Sequence, residues 1–234
     1  MARKDDVTQL LLHVENKLAN IKKVYDESLE QREIHPFLRI DIKNVMENLR
    51  SALDYMAKDI ATNIQAAGKN HYFPFGDNQK NFHNSVDKNL QNLKNKRPDI
   101  YCLIENMQPH TCGNSWLPDL CHIVADKKHD SLVQQERTSQ KTYSIGLPGK
   151  DSIISAPAGA IEALPGAISI NGIPITFDTT TGIPQQTPNL EISVITWVSF
   201  KFQNTNIEVY PLLMTAFIKI KEASKGLYRI LNIP

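Results

Sequence analysis

Glu47, Arg50 and Asp54 step by three and four residues, so on a helix they form one polar stripe. Arginine is the side chain best shaped to hold a phosphate through two parallel N–H bonds. The same spacing also suits i,i+3 and i,i+4 ion pairs on a solvated flank, each worth about 0.3–0.5 kcal/mol. A second group with chemical capacity is the aromatic run His71-Tyr72-Phe73-Pro74-Phe75-Gly76-Asp77. Its rings either pack over the end of a helical bundle or line a cleft, with Tyr72 or Phe75 stacking on a base. A third group is Cys112, Cys121, His110, His122 and His129. Its spacing matches no zinc finger or ribbon, so no metal is expected, and a buried thiol is an ordinary small apolar group.

The element that must carry the polar stripe is a strong helix. Ile42, Val45, Leu49, Leu53, Met56, Ile60 and Ile64 recur at the helical period and predict a buried face running to about residue 67. Before it, Leu11, Val14, Leu18, Ile21, Tyr25 and Leu29 predict a helix from about Asp6 to about Arg32, capped by Asp5 or Asp6 and closed at His35-Pro36. The short link between the two predicts an antiparallel pair. A third helix is expected from Gln79 to Lys96, a short one from Asp99 to Met107, a loop at 110–115, and a helix from Trp116 to Asp126.

The run Asn48-Leu49-Arg50-Ser51-Ala52-Leu53-Asp54-Tyr55 resembles a helix in a widespread group of uncharacterised bacterial proteins that carry Asn-Leu-Arg-Ser-Ala-Leu-Asp-His. Three further segments follow in the same order: Tyr72-Phe73-Pro74-Phe75, Gln108-Pro109-His110 and Asp126-Lys127-Lys128-His129. The likeness covers about residues 40–135. The group's Arg-x4-His spacing is similar to the motif of HEPN-type helical ribonucleases. The resemblance implies a metal-independent ribonuclease site in which Arg50 stabilises phosphate charge and an imidazole moves the proton. This chain has Tyr55 where the pattern has His, and an unperturbed phenol titrates near pH ~10, too high for a neutral-pH shuttle. His129 is then the substitute imidazole, and Arg50, Asp54, Tyr55 and His129 form the candidate catalytic set. Arg50, Lys128 and Tyr72 form the candidate RNA-binding set. Asp130 stands where the group has Arg, which removes a cation from that end.

The 234 residues carry 26 Lys and Arg against 25 Asp and Glu, a net charge of +1, which excludes a generally nucleic-acid-coating protein but not a local basic cleft. No apolar run reaches the roughly 20 residues of a membrane span, and the first residues hold no signal-peptide core. Three cysteines are an odd count that suits reduced thiols in the cytoplasm.

All 7 histidines and all 3 cysteines lie before residue 145, and Gly, Pro, Thr, Ile and Val dominate after it. This predicts an α+β protein: an antiparallel helical bundle over 1–145, then over 146–234 a small antiparallel β-sheet closed by a C-terminal helix. Strands are expected at Ser152–Ala156, Ala167–Ile170, Ile173–Asp178 and Glu191–Gln203, with Asn171-Gly172 as a two-residue hairpin. The last helix is expected from Glu208 to Leu231, packed on either the sheet or the bundle. The sequence leaves open whether the protein is an enzyme. The first expectation is a bacterial non-catalytic interaction or structural protein, with self-association through an amphipathic helix as one mode. The alternative is a HEPN-like ribonuclease or RNA-binding protein of a toxin or phage-defence system. No cofactor motif appears, and the partner is not identified.

Overall fold

The computed structural model describes residues 3–30, 36–126, 135–150, 152–161, 167–202 and 205–233. It is an α+β structure in two compact units, residues 1–136 with 201–234, and residues 137–200.

The first unit is helical. α1 spans Lys4–Glu30 and α2 spans Pro36–Ile64, and the two pack along each other. Ile42, Val45, Leu49, Leu53, Met56, Ile60 and Ile64 are all buried, so the expected face of α2 is its core face. Opposite it lie Val7, Leu11, Val14, Leu18 and Ile21 of α1. The expected third helix divides into α3 (Gln79–Asn89) and α4 (Leu93–Lys96). The break falls at Asn92, whose φ of 64° is left-handed, a conformation asparagine tolerates and a continuing helix does not. α5 spans Pro98–Glu105. The segment read as a loop contains a helical turn, α6 (Pro109–Cys112), before α7 (Trp116–Asp126). At the start of α7 the Trp116 N–H donates to Asn114 Oδ1 at 2.8 Å.

α8 (Val209–Ile230) belongs to this unit and packs on α1, α2, α5 and α7. The division expected at residue 145 therefore differs from the observed one. The β segment is an insertion between α7 and α8. Leu212, Leu213, Ala216, Phe217, Ile220 and Leu227 bury one face of α8. Gly226 lets α5 approach, because a Cβ there would sit 2.9 Å from the Leu103 Cδ1. A buried charged anchor is Asp59 of α2, whose side chain is 3% exposed. It accepts from the Arg3 backbone N–H at 2.8 Å, the Arg3 Nη1 at 3.0 Å and the Tyr228 hydroxyl at 3.0 Å. Burial beside the Asp59 carboxylate raises the Tyr228 pKa well above its ordinary value.

The second unit holds a three-stranded sheet in the order β2-β1-β5, from β1 (Gln135–Gly146), β2 (Ser152–Pro157) and β5 (Glu191–Phe202). β3 (Ile168–Ile170) and β4 (Ile173–Ile175) form a hairpin. Its turn is Asn171-Gly172 with φ of 50° and 77°, as the sequence requires of a two-residue connection. Tyr143, Ile145, Ile170, Ile175 and Leu190 form a separate small core. Among the described residues no helix is long and apolar enough to cross a membrane.

Candidate functional site

The aromatic run is an extended strap, and its backbone is held by side chains. The Tyr72 N–H donates to Asn89 Oδ1 at 3.3 Å, and the Phe73 N–H to Asp54 Oδ1 at 3.0 Å. The Phe75 N–H donates to Ser85 Oγ at 3.3 Å and the Gly76 N–H to Gln108 Oε1 at 3.2 Å. Pro74 has no N–H to offer, so every donor from Tyr72 to Gly76 is satisfied. Gln108, fully buried, also donates to the carbonyls of Pro74 and Ile104. Gly76 is required by space: a Cβ would stand 2.3 Å from the Phe82 backbone nitrogen and 2.6 Å from the Asn81 carbonyl carbon. Gly76→Ala is therefore expected to lower stability by about 1–3 kcal/mol, as overpacking against backbone does, and urea unfolding measures it.

Three of the four segments singled out in the sequence thus meet at one place, through Asp54, the strap at 72–75 and Gln108. The fourth begins at Asp126, and Lys127, Lys128 and His129 lie outside the described residues.

Arg50 stands beside the strap with its guanidinium engaged. Nη2 lies 3.0 Å from Asp54 Oδ1, and Nε donates to Asp54 Oδ2 at 3.3 Å. Nη1 donates to Cys121 Sγ at 2.7 Å, and the guanidinium carbon sits 5.3 Å from the centre of the Phe75 ring. The Arg50 and Asp54 side chains are 17% and 18% exposed, so this pair is no solvated flank. Glu47, by contrast, pairs outward with Lys43. Burial pushes the Cys121 thiol up to about 11 despite the nearby guanidinium. Cys121 is buried while Cys102 and Cys112 are exposed. A thiol-reactive dye should therefore label two cysteines quickly in the native protein and the third on unfolding. Because the folded thiol titrates above its ordinary value of 9.0, its contribution to stability is complete below pH 9 and is lost as pH rises through about 11. Cys121→Ala should flatten that part of the pH–stability curve.

An open cleft of about 570 Å³ lies against this site, lined by Arg50, Tyr72, Phe73, Phe75, Ser85 and Lys88 among others. Tyr72 is 52% exposed there. Lys88 is exposed and has no ion-pair partner among the described residues. Of the expected RNA-binding set, Arg50 and Tyr72 therefore share one cleft. The expected catalytic set is not gathered. Arg50 and Asp54 pair with each other, His129 is not described, and Tyr55 lines a different cleft with Asp6, Gln9, His13 and Asn48. The Tyr55 ring there carries the Lys58 ammonium 5.5 Å from its centre. Tyr55 is the fifth residue after Arg50, a step that turns the two to different sides of α2.

Ser85 and Asn89, which the sequence did not single out, complete the site with Gln108 and His122, which it named for other reasons. Asn89, Ser85 and Gln108 act as clamps for the strap. His122 meets the Phe75 ring edge-on at 5.5 Å, with its Nδ1 3.7 Å from Asp77 Oδ1. A separate cluster joins His83 and His110, whose Nε2 atoms lie 3.8 and 3.6 Å from Glu105 Oε1, with the Tyr101 hydroxyl donating to the same oxygen. Among the described residues no group of three or more His, Cys, Asp or Glu side chains is placed to hold a metal ion.

No protein-family model, no curated protein and no solved structure matches the chain.

Proposed function

We propose that the protein is a non-catalytic interaction protein whose recognition surface is the cleft beside the clamped strap, and that the cleft takes a single RNA strand. The observation that carries this is the commitment of Arg50. Its guanidinium is already neutralised by Asp54 and spread over Cys121 and Phe75, so it holds the strap more than it awaits a phosphate. What remains for a ligand is one exposed ring, Tyr72, one unpaired ammonium, Lys88, and the hydroxyl and carboxamide side chains of Ser85, Asn70 and Asn84. A flat ring beside a cation is what a stacked base with its adjoining phosphate needs, with no demand for a particular sequence.

Anisotropy titration of a labelled single-stranded RNA tests this. Tyr72→Ala and Lys88→Ala should each weaken binding by about tenfold, within the ~1–3 kcal/mol that one stacked base contributes. The Lys88→Ala variant should also show a smaller salt dependence. Equal affinity in wild type and both variants would remove the cleft from the account.

A second reading rests on His122, which touches the same Phe75 ring as Arg50. In it the protein is a HEPN-like metal-independent ribonuclease of a toxin or phage-defence system, acting in the bacterial cytoplasm. His122 or His129 then supplies the imidazole that Tyr55 cannot. Cleavage without metal, lost in Arg50→Ala and in one of the two histidine variants, is the result specific to that reading.

A further inference from the structure

α8 presents Lys221, Lys225 and Arg229 at successive i,i+4 positions, which places them on one side of that helix. The same side meets the start of α1. The first rung is closed, because the Lys221 Nζ lies 2.8 Å from Glu15 Oε1. Moving toward the α1 N-terminus by turns, the acid gives way to Leu11 and Leu12, then Thr8, then Lys4. The next two cations of α8 thus have no carboxylate opposite them. Lys4, Thr8, Ser224, Lys225, Tyr228 and Arg229 instead line an open cleft of about 300 Å³. Lys225 and Arg229 have no ion-pair partner among the described residues, and the Lys4 ammonium reaches a single acceptor, the Ile233 carbonyl, at 3.4 Å. Nearby acids are otherwise disposed. Asp59 is taken by Arg3 and Tyr228, Asp6 lines the cleft with Tyr55, and Asp5 is exposed.

Lys4, Lys225 and Arg229 line one cleft, and like charges that share a cleft favour an anion among them. We propose that this cleft binds a phosphoryl group, as free phosphate or as the phosphate of a small ester. Arg229 supplies a planar fork for two oxygens, and Lys4 and Lys225 supply point charges; the Thr8 and Ser224 hydroxyls already donate to the Lys4 and Lys221 carbonyls, so the three cations carry the site. The size of the cleft, at the lower end for ligand pockets, suits a small phosphorylated molecule.

Titration calorimetry on the full chain at pH 7 and low salt tests this, with inorganic phosphate as the first probe and ribose 5-phosphate as the second. The expected result is one site, weakened by about tenfold or more in Arg229→Gln and in Lys225→Gln, whose exposed positions leave folding intact by circular dichroism. Phosphate binding without ester binding identifies a free-anion site, and tighter ester binding identifies a phosphorylated metabolite. Lys150→Ala, at an exposed lysine that lines neither cleft, should leave phosphate binding unchanged. Absence of phosphate and ester binding, or equal binding by wild type and both α8 variants, would overturn the proposal.

Discussion

Asp59→Ala is expected to lower the stability of the helical unit by about 2–3 kcal/mol, the loss typical of leaving buried donors without an acceptor. Asp59 sits at 3% side-chain exposure and accepts three hydrogen bonds, two from Arg3 and one from Tyr228. Removing it strands a guanidinium and a phenol at the seam where α1, α2 and α8 meet. The penalty is then desolvation of unpaired donors more than the lost attraction itself. Asp59→Asn should cost less, because a carboxamide still accepts from one donor. Tyr228→Phe should cost about 1–2 kcal/mol, since it removes one donor and leaves the Arg3 pair in place. Urea unfolding followed by far-ultraviolet circular dichroism gives all three, and a ranking with Tyr228→Phe as the most damaging would show that the pair is not the anchor.

Asp54→Ala is expected to cost about 3 kcal/mol and to do something Asp59→Ala does not, namely free the strap. Asp54 holds the Arg50 guanidinium and the Phe73 N–H together. Its loss leaves a half-buried cation against Phe75 and an unsatisfied backbone donor behind a fully buried phenylalanine. Arg50→Leu together with Asp54→Ala should recover part of the stability, because the stranded charge is gone. The strap N–H groups of residues 72–76 should exchange with deuterium faster in Asp54→Ala than in wild type, while those of the α2 core stay protected. Unchanged exchange at Phe73 would contradict the clamp.

Much of the fold was legible because it is written in local spacing. The α2 face from Ile42 to Ile64 depends on which residues recur every three or four positions, and all seven expected residues are buried. The Asn171-Gly172 turn needs two residues that tolerate positive φ, and both adopt it. The division of the third helix was not legible, since it rests on one left-handed asparagine in a stretch whose other asparagines, Asn81, Asn84, Asn89 and Asn95, lie within α3 and α4. The return of α8 to the helices was open because its apolar face fits a sheet or a bundle equally well.

The site was half legible. Spacing put Arg50 and Asp54 within reach of each other, and the aromatic run stood out by composition. The clamps were hidden because they act across sequence: Ser85 is 10 residues from Phe75, Asn89 is 17 from Tyr72, and Gln108 is 32 from Gly76. Ser85 and Asn89 carry no local sign that they will bind backbone, and Gln108 stood out only as part of a motif order. Placing Tyr55 with Arg50 followed the similarity in sequence order, whereas helical geometry turns the two apart.

The most direct measurement is incubation of the purified protein with a fluorescein-labelled single-stranded RNA in EDTA, with anisotropy and gel electrophoresis read from the same tube. A non-catalytic recognition cleft predicts a saturating rise in anisotropy, weakened in Tyr72→Ala and Lys88→Ala, while the RNA stays intact. Fragments that accumulate with wild type and disappear with Arg50→Ala would contradict it and make Arg50 part of a working nuclease.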